Sequence, residues 1–257
     1  MLITSAHNDI IKTVISLKQK KNRDELSLFT VEGYKQVSEI VKNWKIKFIL
    51  STEKYRNFNK IGCSNVYTVT ERLFKKVSST QTPQGILAVV EKKKYDIEKV
   101  LTDENGIFVV CDNIQDPGNV GTIIRTSEAY GCKAAFFSKN CADVYGDKVV
   151  RSSMGAIFNI PIFQECDIVA LIKIFKQKQI NVCALSLDTD KVLSEFNVEN
   201  NVAVIVGNES VGISKEVLNV ADEKIKIEMF GKTQSLNAAV ACSIAIYEFS
   251  KRLKIKK

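Results

Sequence analysis

The chain has 257 residues, 45% hydrophobic and 26% charged, with 37 Lys and Arg against 29 Asp and Glu and a formal net charge of +8. That length suits two domains with real cores. No apolar run is long enough to span a bilayer, and the N-terminus MLITSAHNDII lacks the basic-then-apolar order of a signal peptide. The excess of cations favours a polyanionic partner, because each phosphate contact releases counterions.

In chain order, Asn8 to Arg23 begins as a helix with Ile10, Ile11, Val14 and Leu17 on one face. It ends in the basic cluster Lys18, Lys20, Lys21 and Arg23, which reads as a solvated helix end or as a phosphate contact. Leu28 to Glu32 reads as a strand, followed by Gly33 and a helix from Tyr34 to Asn43. Ile46 to Ser51 and Val66 to Val69 are strands, Glu71 to Ser78 is a helix, and Gly85 to Glu91 is a strand after a polar loop holding Pro83. Such alternation makes a small α/β domain. The charged, weakly patterned stretch after Glu91 holds the junction, near residues 95 to 103. The expected domains are therefore residues 1–98 and 103–257.

Ile107 to Cys111 is a buried strand. It leads into DNIQDPGNVGTIIRTSEAYG, a structured loop and a helix from near Asn119 to a C-terminal glycine, Gly131. Arg125 lies four positions after Gly121, so both share a helical face. The loop is not G-x-G-x-x-G, which argues against a dinucleotide site. Ala134 to Phe137 is a strand, Asp147 to Gly155 a helix carrying Lys148 and Arg151, and Ile160 to Phe163 a strand. Ile168 to Lys178 is an amphipathic helix and Asn181 to Ser186 a strand. Val202 to Val206 is a continuous apolar run, as in a parallel sheet covered on both faces. GNESVGIS follows it. Glycines let a ligand approach the backbone, and loops at strand C-termini are where open α/β sheets bind ligands.

Lys224 to Ile227 alternates as a half-buried strand, and Gly231 marks a loop. Ser235 stands where an N-cap belongs, ahead of a helix with Leu236, Val240, Ile244 and Tyr247 along one side. Ala238, Ala239, Ala241, Ser243 and Ala245 permit close approach by another segment of the chain or by a partner subunit. The seven cysteines are odd in number and form no C-x-x-C pair. They read as buried thiols of a reducing, cytoplasmic protein, with no zinc site and no disulfide framework. The single histidine, His7, has no catalytic context and reads as a surface residue.

Three stretches carry a resemblance. Asn119, Gly121 and Arg125 resemble motif 1 of the SpoU (TrmH) branch of the SPOUT methyltransferases. Gly207, Glu209 and Gly212 resemble motif 2, and Ile227, Met229, Gly231, Ser235, Leu236 and Asn237 resemble motif 3, with Glu228 where the family usually has proline. The pieces Phe29 to Gly33 and Thr82 to Ala88 look like the ribosomal-protein-like RNA-binding domain that precedes many SpoU catalytic domains.

The resemblance implies an α/β fold in which the C-terminal domain is an α/β knot, a deep trefoil with a parallel sheet. It implies S-adenosylmethionine, bound through Gly207, Ile227, Met229 and Leu236 with a wall near Leu185 and Ser186, and no metal. It implies methyl transfer to a ribose 2′-hydroxyl of RNA by a homodimer, with ribosomal RNA favoured and transfer RNA the alternative. Arg125 stands at the family's catalytic position. Guanidinium holds its proton too strongly to be an easy base, so binding phosphate and stabilising alkoxide charge suits it better. Asn119 would position Arg125 or the ribose, Glu209 would orient Arg125 or accept a proton, and Ser235 and Asn237 would order the loop and the substrate hydroxyl. Two other classes compete: an inactive RNA-binding or assembly factor on the same scaffold, against which these intact residues argue, and a Rossmann-type metabolic enzyme, against which the missing glycine fingerprint argues.

Overall fold

In the computed structural model, which describes residues 2–41, 43–55, 65–101, 105–198 and 200–253, the β-branched runs pair into two separate sheets. The chain divides into two units. One is Met1–Lys94 with Tyr145–Phe158, the other Tyr95–Val144 with Asn159–Lys257.

The first unit contains β1 (Leu2–Ile3), α1 (Asp9–Ser16), α2 (Lys20–Leu26), β2 (Leu28–Glu32), α3 (Tyr34–Ile40), β3 (Ile46–Ser51), β4 (Val66–Val69), α4 (Glu71–Val77) and β5 (Ile86–Glu91). Its sheet runs β1-β4-β3-β5-β2, with β5 antiparallel to both neighbours. Ile11, Val14 and Leu17 meet Leu50, Phe74 and Val89 in one apolar cluster. The helix expected from Asn8 to Arg23 is two helices. Asn8 caps α1 by accepting from Ile10 N at 2.9 Å, and the chain turns at Leu17 before α2.

That turn changes the meaning of the basic cluster. Arg23 is only 5% exposed, and its Nη1 donates to Leu17 O at 2.6 Å. Lys18 Nζ donates to the carbonyls of Lys76 (3.2 Å) and Ser78 (3.1 Å) at the C-terminal end of α4, where a cation complements the helix dipole. Lys20 pairs with Asp24 at 3.3 Å. Three of the four cations therefore serve the fold. Burial alone would raise the Asp24 carboxyl, but hydrogen bonds and charge from Lys92 and Lys20 outweigh it and hold the group below its ordinary value.

The remaining elements are α5 (Ile97–Val100), β6 (Ile107–Asp112), α6 (Pro117–Ala129), β7 (Ala134–Ser138), α7 (Asp147–Ser152), β8 (Ile162–Cys166), α8 (Ile168–Gln177), β9 (Asn181–Leu185), β10 (Val202–Gly207), α9 (Lys215–Val220), β11 (Glu223–Ile225) and α10 (Ala238–Arg252). All except α7 lie in the second unit, whose sheet is parallel throughout in the order β11-β9-β10-β6-β7-β8. Every residue of β6 and β10 is buried, which is why these strands read as unbroken apolar runs. Phe108, Phe136 and Phe175 anchor one core face, with Phe136 stacked on Phe163 at 4.8 Å.

The units are not the contiguous halves expected from the sequence. Leu101 belongs to the Phe108 cluster and Ile97 and Val100 pack on it, so the chain from Tyr95 onward sits with the second unit. Residue 103, the expected start of the second domain, lies outside the described residues. Residues 145–158 join the first unit because their apolar groups are buried there. Tyr145 packs on Phe29 at 4.7 Å, Phe158 on Trp44 at 5.4 Å, and Trp44 Nε1 donates to Phe158 O at 3.0 Å. Thr30 Oγ1 also donates to Asp147 Oδ1 at 2.7 Å.

The six cysteines among the described residues are free thiols; Cys63 lies outside them. Burial raises all six, with Cys166 pushed up to about 11 and Cys242 to about 12. Among the described residues no helix is long and apolar enough to cross a membrane, and no His, Cys, Asp or Glu group could hold a metal ion.

Candidate active site

The C-terminal ends of β9, β10 and β11 open onto a cavity of about 490 Å³. This is the end of a parallel sheet at which ligands bind, and the size suits a nucleoside-sized ligand. Leu185 and Ser186 line it from β9, Gly207 and Glu209 from the end of β10, and Ile227, Met229, Ser235 and Leu236 from the segment between β11 and α10. The four residues expected to bind a cofactor thus share one cavity. Its walls are largely apolar, and the carboxylates of Asp188 and Glu209 stand among its lining residues, which suits a flat heterocycle joined to a cationic group.

The loop after β10 explains its own glycines. Asn208 and Gly212 exchange backbone hydrogen bonds at 3.0 and 2.9 Å, and Gly212 has φ +72°. A Cβ on Gly207 would lie 2.3 Å from Gly212 C and Ile213 N. Close approach is therefore needed at Gly207, but the approaching backbone is the chain's own. Asn208 Oδ1 accepts from Ser210 N and Val211 N, and its Nδ2 donates to Asn113 O at 3.0 Å.

At the end of β6, Asp112 is 3% exposed and accepts from Ser214 N at 2.8 Å and from Asn113 Nδ2 at 2.9 Å. Asp112 and Asn208 together fasten the motif 2 loop to the end of the strand that leads into motif 1. Sequence reasoning passed over both. The available signal was an Asp or Asn at each strand end, a residue type that captures nearby backbone N–H groups.

One polar chain joins all three motifs. Asn237 Nδ2 donates to Asn119 Oδ1 at 3.0 Å, and Asn119 Nδ2 donates to Glu209 Oε1. Asn119 is placed by the start of α6. Asp116 caps that helix by accepting from Asn119 N at 2.9 Å, and Pro117 follows in the first turn, so the helix begins earlier than expected. Asn237 is placed by α10, which it caps by accepting from Ala239 N (3.0 Å) and Val240 N (3.2 Å). The N-cap is therefore Asn237, and the expectation of Ser235 is corrected. Two residues upstream of the cap, Ser235 is exposed and lines the cavity.

Arg125 is exposed on α6, and its side chain makes no hydrogen bond or ion pair among the described residues. The structure brings together Asn119, Glu209 and Asn237, but it does not join Arg125 to them. Glu228, in the place of the usual proline, accepts a hydrogen bond from Ser194 Oγ. Arg252 Nη2 donates to the carbonyl of the same Ser194 at 3.0 Å. A side-chain tether thus stands where a proline ring would stiffen the loop.

The small residues of α10 face inward. Ala238, Ala239, Cys242 and Ala245 are buried, and Ser243 Oγ lies 3.0 Å from Thr126 Oγ1 of α6. The apolar side expected from the sequence faces outward instead, with Val240 45% and Tyr247 44% exposed. Tyr247 packs edge-on against Tyr130 at 5.6 Å, extending that outward patch onto the end of α6.

Comparison with known proteins fits this geometry. Residues 106–247 match the SpoU rRNA Methylase family, and residues 8–88 match the MRM3-like substrate binding domain. The 23S rRNA (guanosine(2553)-2′-O)-methyltransferase RlmP of Bacillus subtilis (strain 168) is 32% identical over 247 residues, covering 95% of this chain and 97% of that protein. The 23S rRNA (uridine(2479)-2′-O)-methyltransferase of Streptomyces viridochromogenes is 27% identical, covering 90% of this chain and 85% of that protein. The AdoMet-bound rRNA methyltransferase structure from Sinorhizobium meliloti superimposes with a TM-score of 0.86 at 28% identity, covering 98% of this chain and 97% of the other. The second unit has the α/β-knot fold of the SpoU methyltransferases, with its parallel sheet. On the match across residues 106–247 and the likeness along nearly the whole Bacillus protein, the chain belongs to the SpoU rRNA Methylase family.

Proposed function

We infer that the protein transfers a methyl group from S-adenosylmethionine to a ribose 2′-hydroxyl of ribosomal RNA. The observation that carries the reading is the Asn237–Asn119–Glu209 chain beside the cavity, because Glu209 belongs to both. The named relatives that act on 23S rRNA ribose, and the AdoMet-bound neighbour, supply the reaction class.

When bound, the cofactor supplies an electrophilic methyl group on a sulfonium centre. Leu185, Ile227, Met229 and Leu236 give the adenosyl part apolar walls, and Glu209 places negative charge near the cationic end. The Asn119 amide is committed at both ends, so it fixes the Glu209 carboxylate in one orientation. The Arg125 side chain, with no partner among the described residues, is available to an RNA phosphate and to the alkoxide charge that develops on the 2′-oxygen. Ser235, on the cavity wall, offers a hydroxyl toward the substrate. Alignment of the two reactants does most of the work in such a displacement.

The outward apolar patch of Val240 and Tyr247 on α10, with Tyr130, supports a homodimer through this face. On this reading residues 8–88 bind the RNA substrate and the protein works in the cytoplasm, a reducing compartment that suits the six free thiols among the described residues.

The test is incubation of the protein with methyl-labelled S-adenosylmethionine and ribosomal RNA from cells lacking the gene. Label in a 2′-O-methylated nucleotide of 23S RNA is expected. Label on a base, only on transfer RNA, or nowhere would overturn the reading.

A further inference from the structure

With three of the four cations of the Lys18–Arg23 cluster engaged in the fold, the first unit must meet RNA elsewhere if it is to bind it. The C-terminal ends of its parallel strands offer a built surface. There Tyr34 and Tyr55 stack with ring centroids 5.5 Å apart and planes within 22°. Tyr34 keeps 46% of its surface exposed, and Lys54 Nζ lies 5.4 Å from the Tyr55 centroid.

Hydrogen bonds fix the backbone beneath both rings, one of them to a side chain. Tyr34 N donates to Gln84 Oε1 at 2.9 Å, and Tyr55 N donates to Thr52 O at 3.0 Å. Thr52 N in turn donates to Gly85 O at 2.8 Å, which closes the circuit through Gln84. Gly85 has φ +93°, and a Cβ there would meet Thr52 Oγ1 at 2.5 Å, so the circuit requires glycine at this position. Three segments distant in sequence thus cooperate to present one aromatic step.

We propose that the Tyr34–Tyr55 pair, with Lys54, is a stacking platform for an unpaired nucleobase of the RNA substrate. The proposal rests on the RNA-methylating function and adds where and how the first unit grips. An exposed, preorganised aromatic beside a cation is what single-stranded RNA requires. Every base has a face to stack, and the neighbouring phosphate pairs with the lysine. A paired helix hides its base faces and has no use for such a step. The large apolar area of two tyrosines is presented with little side-chain entropy to lose.

The experiment uses the full-length protein with three probes, a twelve-nucleotide oligo(A), a twelve-nucleotide oligo(U) and a twelve-base-pair RNA duplex, at several salt concentrations. The double change Tyr34→Ala and Tyr55→Ala should weaken single-strand binding by about tenfold or more, the loss typical of one base stack. The paired change to Phe should restore most of it. Duplex binding should stay within twofold. Lys54→Gln should lower the slope of log affinity against log salt by about one ion, and the tyrosine changes should leave that slope alone. Unchanged oligonucleotide affinity in the double Ala variant, an equal loss for the duplex, or no oligonucleotide binding by the unsubstituted protein would each overturn the platform. Cofactor affinity and thermal melting, read in parallel, separate a folding defect from lost stacking. Methyl transfer by the unsubstituted protein is scored apart, so that failure of the activity and failure of the platform are distinct results.

Discussion

Asn237 donates its side-chain amide to Asn119 across 3.0 Å, joining residues 118 positions apart, while its own oxygen caps α10. One asparagine thus ties helix initiation to site geometry, and the two roles can be separated. Asn237→Asp keeps the capping acceptor and loses the donor to Asn119, so melting should change little while methyl transfer falls. Asn237→Ala loses both. It should cost roughly 0.5–2 kcal/mol of stability, a drop of a few degrees in melting temperature for a chain of this size. Thermal scans and single-turnover transfer on both variants check the split. Equal transfer by all three proteins would show that the bond has no catalytic consequence.

Arg125→Ala should leave folding and cofactor affinity intact, because the Arg125 side chain has no partner to lose among the described residues. Turnover should fall about a hundredfold or more, as on removal of one preorganised electrostatic donor. Arg125→Lys keeps the charge without the planar fork and should recover little. Calorimetry with the cofactor and turnover across pH provide the readout. A fixed cation leaves the shape of the pH profile unchanged at a lower rate, whereas loss of a base would alter its basic limb.

Gly207→Ala forces a methyl group into the Gly212–Ile213 backbone, so the motif 2 loop must shift. Overpacking of this kind costs about 1–3 kcal/mol. Cofactor affinity should drop at least tenfold, since the displaced loop forms a cavity wall. A variant that binds the cofactor normally would mean that the loop relaxes freely.

The thiols give a signed pH dependence. Burial raises them in the folded state, with Cys166 at about 11 and Cys242 at about 12, whereas in the unfolded chain they titrate near the ordinary value of 9.0. Above that value the unfolded state binds fewer protons than the native one, so stability should decline as pH rises from about 9 toward 11. At pH 8 the folded thiols are neutral, and iodoacetamide should label them far more slowly than in denaturant. Fast labelling of Cys242 in the folded protein would contradict its burial.

Neutralising Lys18, Lys20 and Arg23 should register in stability before it registers in RNA binding. Arg23→Met strands the Leu17 carbonyl that its guanidinium serves and should lower the melting temperature by several degrees. The salt slope of RNA binding should not move. A changed slope with unchanged melting would restore the phosphate-contact reading of this cluster.

How much of this was legible varies with the physics involved. Val202 to Val206 announced a central parallel strand because burial on both faces removes alternation. The glycines and amides of the three motifs announced loops at strand ends. The charges of Arg23 and Lys18 did not announce their carbonyl partners, since a basic run looks the same whether it faces water or caps a helix. Ser235 and Asn237 are both good cap residues two positions apart, and propensity could not choose between them. Val240 and Tyr247 kept helical spacing yet face outward, because the inward side of α10 is made of alanines that sit close to α6. Val149, Val150, Ile157 and Phe158 look like core anywhere, and nothing in their pattern says which core.

That last group bears on the order in which the protein is made. Residues Met1–Lys94 build the Ile11–Phe74 cluster among themselves, but the rings of Phe29 and Trp44 meet Tyr145 and Phe158, so the first unit is not complete when its last contiguous residue leaves the ribosome. It must wait for residues 95–144 and then for the segment that covers Phe29 and Trp44, a delay of roughly 3–13 s at ordinary synthesis rates. Until then those rings stay uncovered on the nascent chain. The unit is accordingly not a cassette that gene fusion could move by cutting at a single point. A polypeptide ending at Lys94 should expose aromatic surface and depend on chaperones, while adding residues 145–158 back as a separate peptide should quench that exposure.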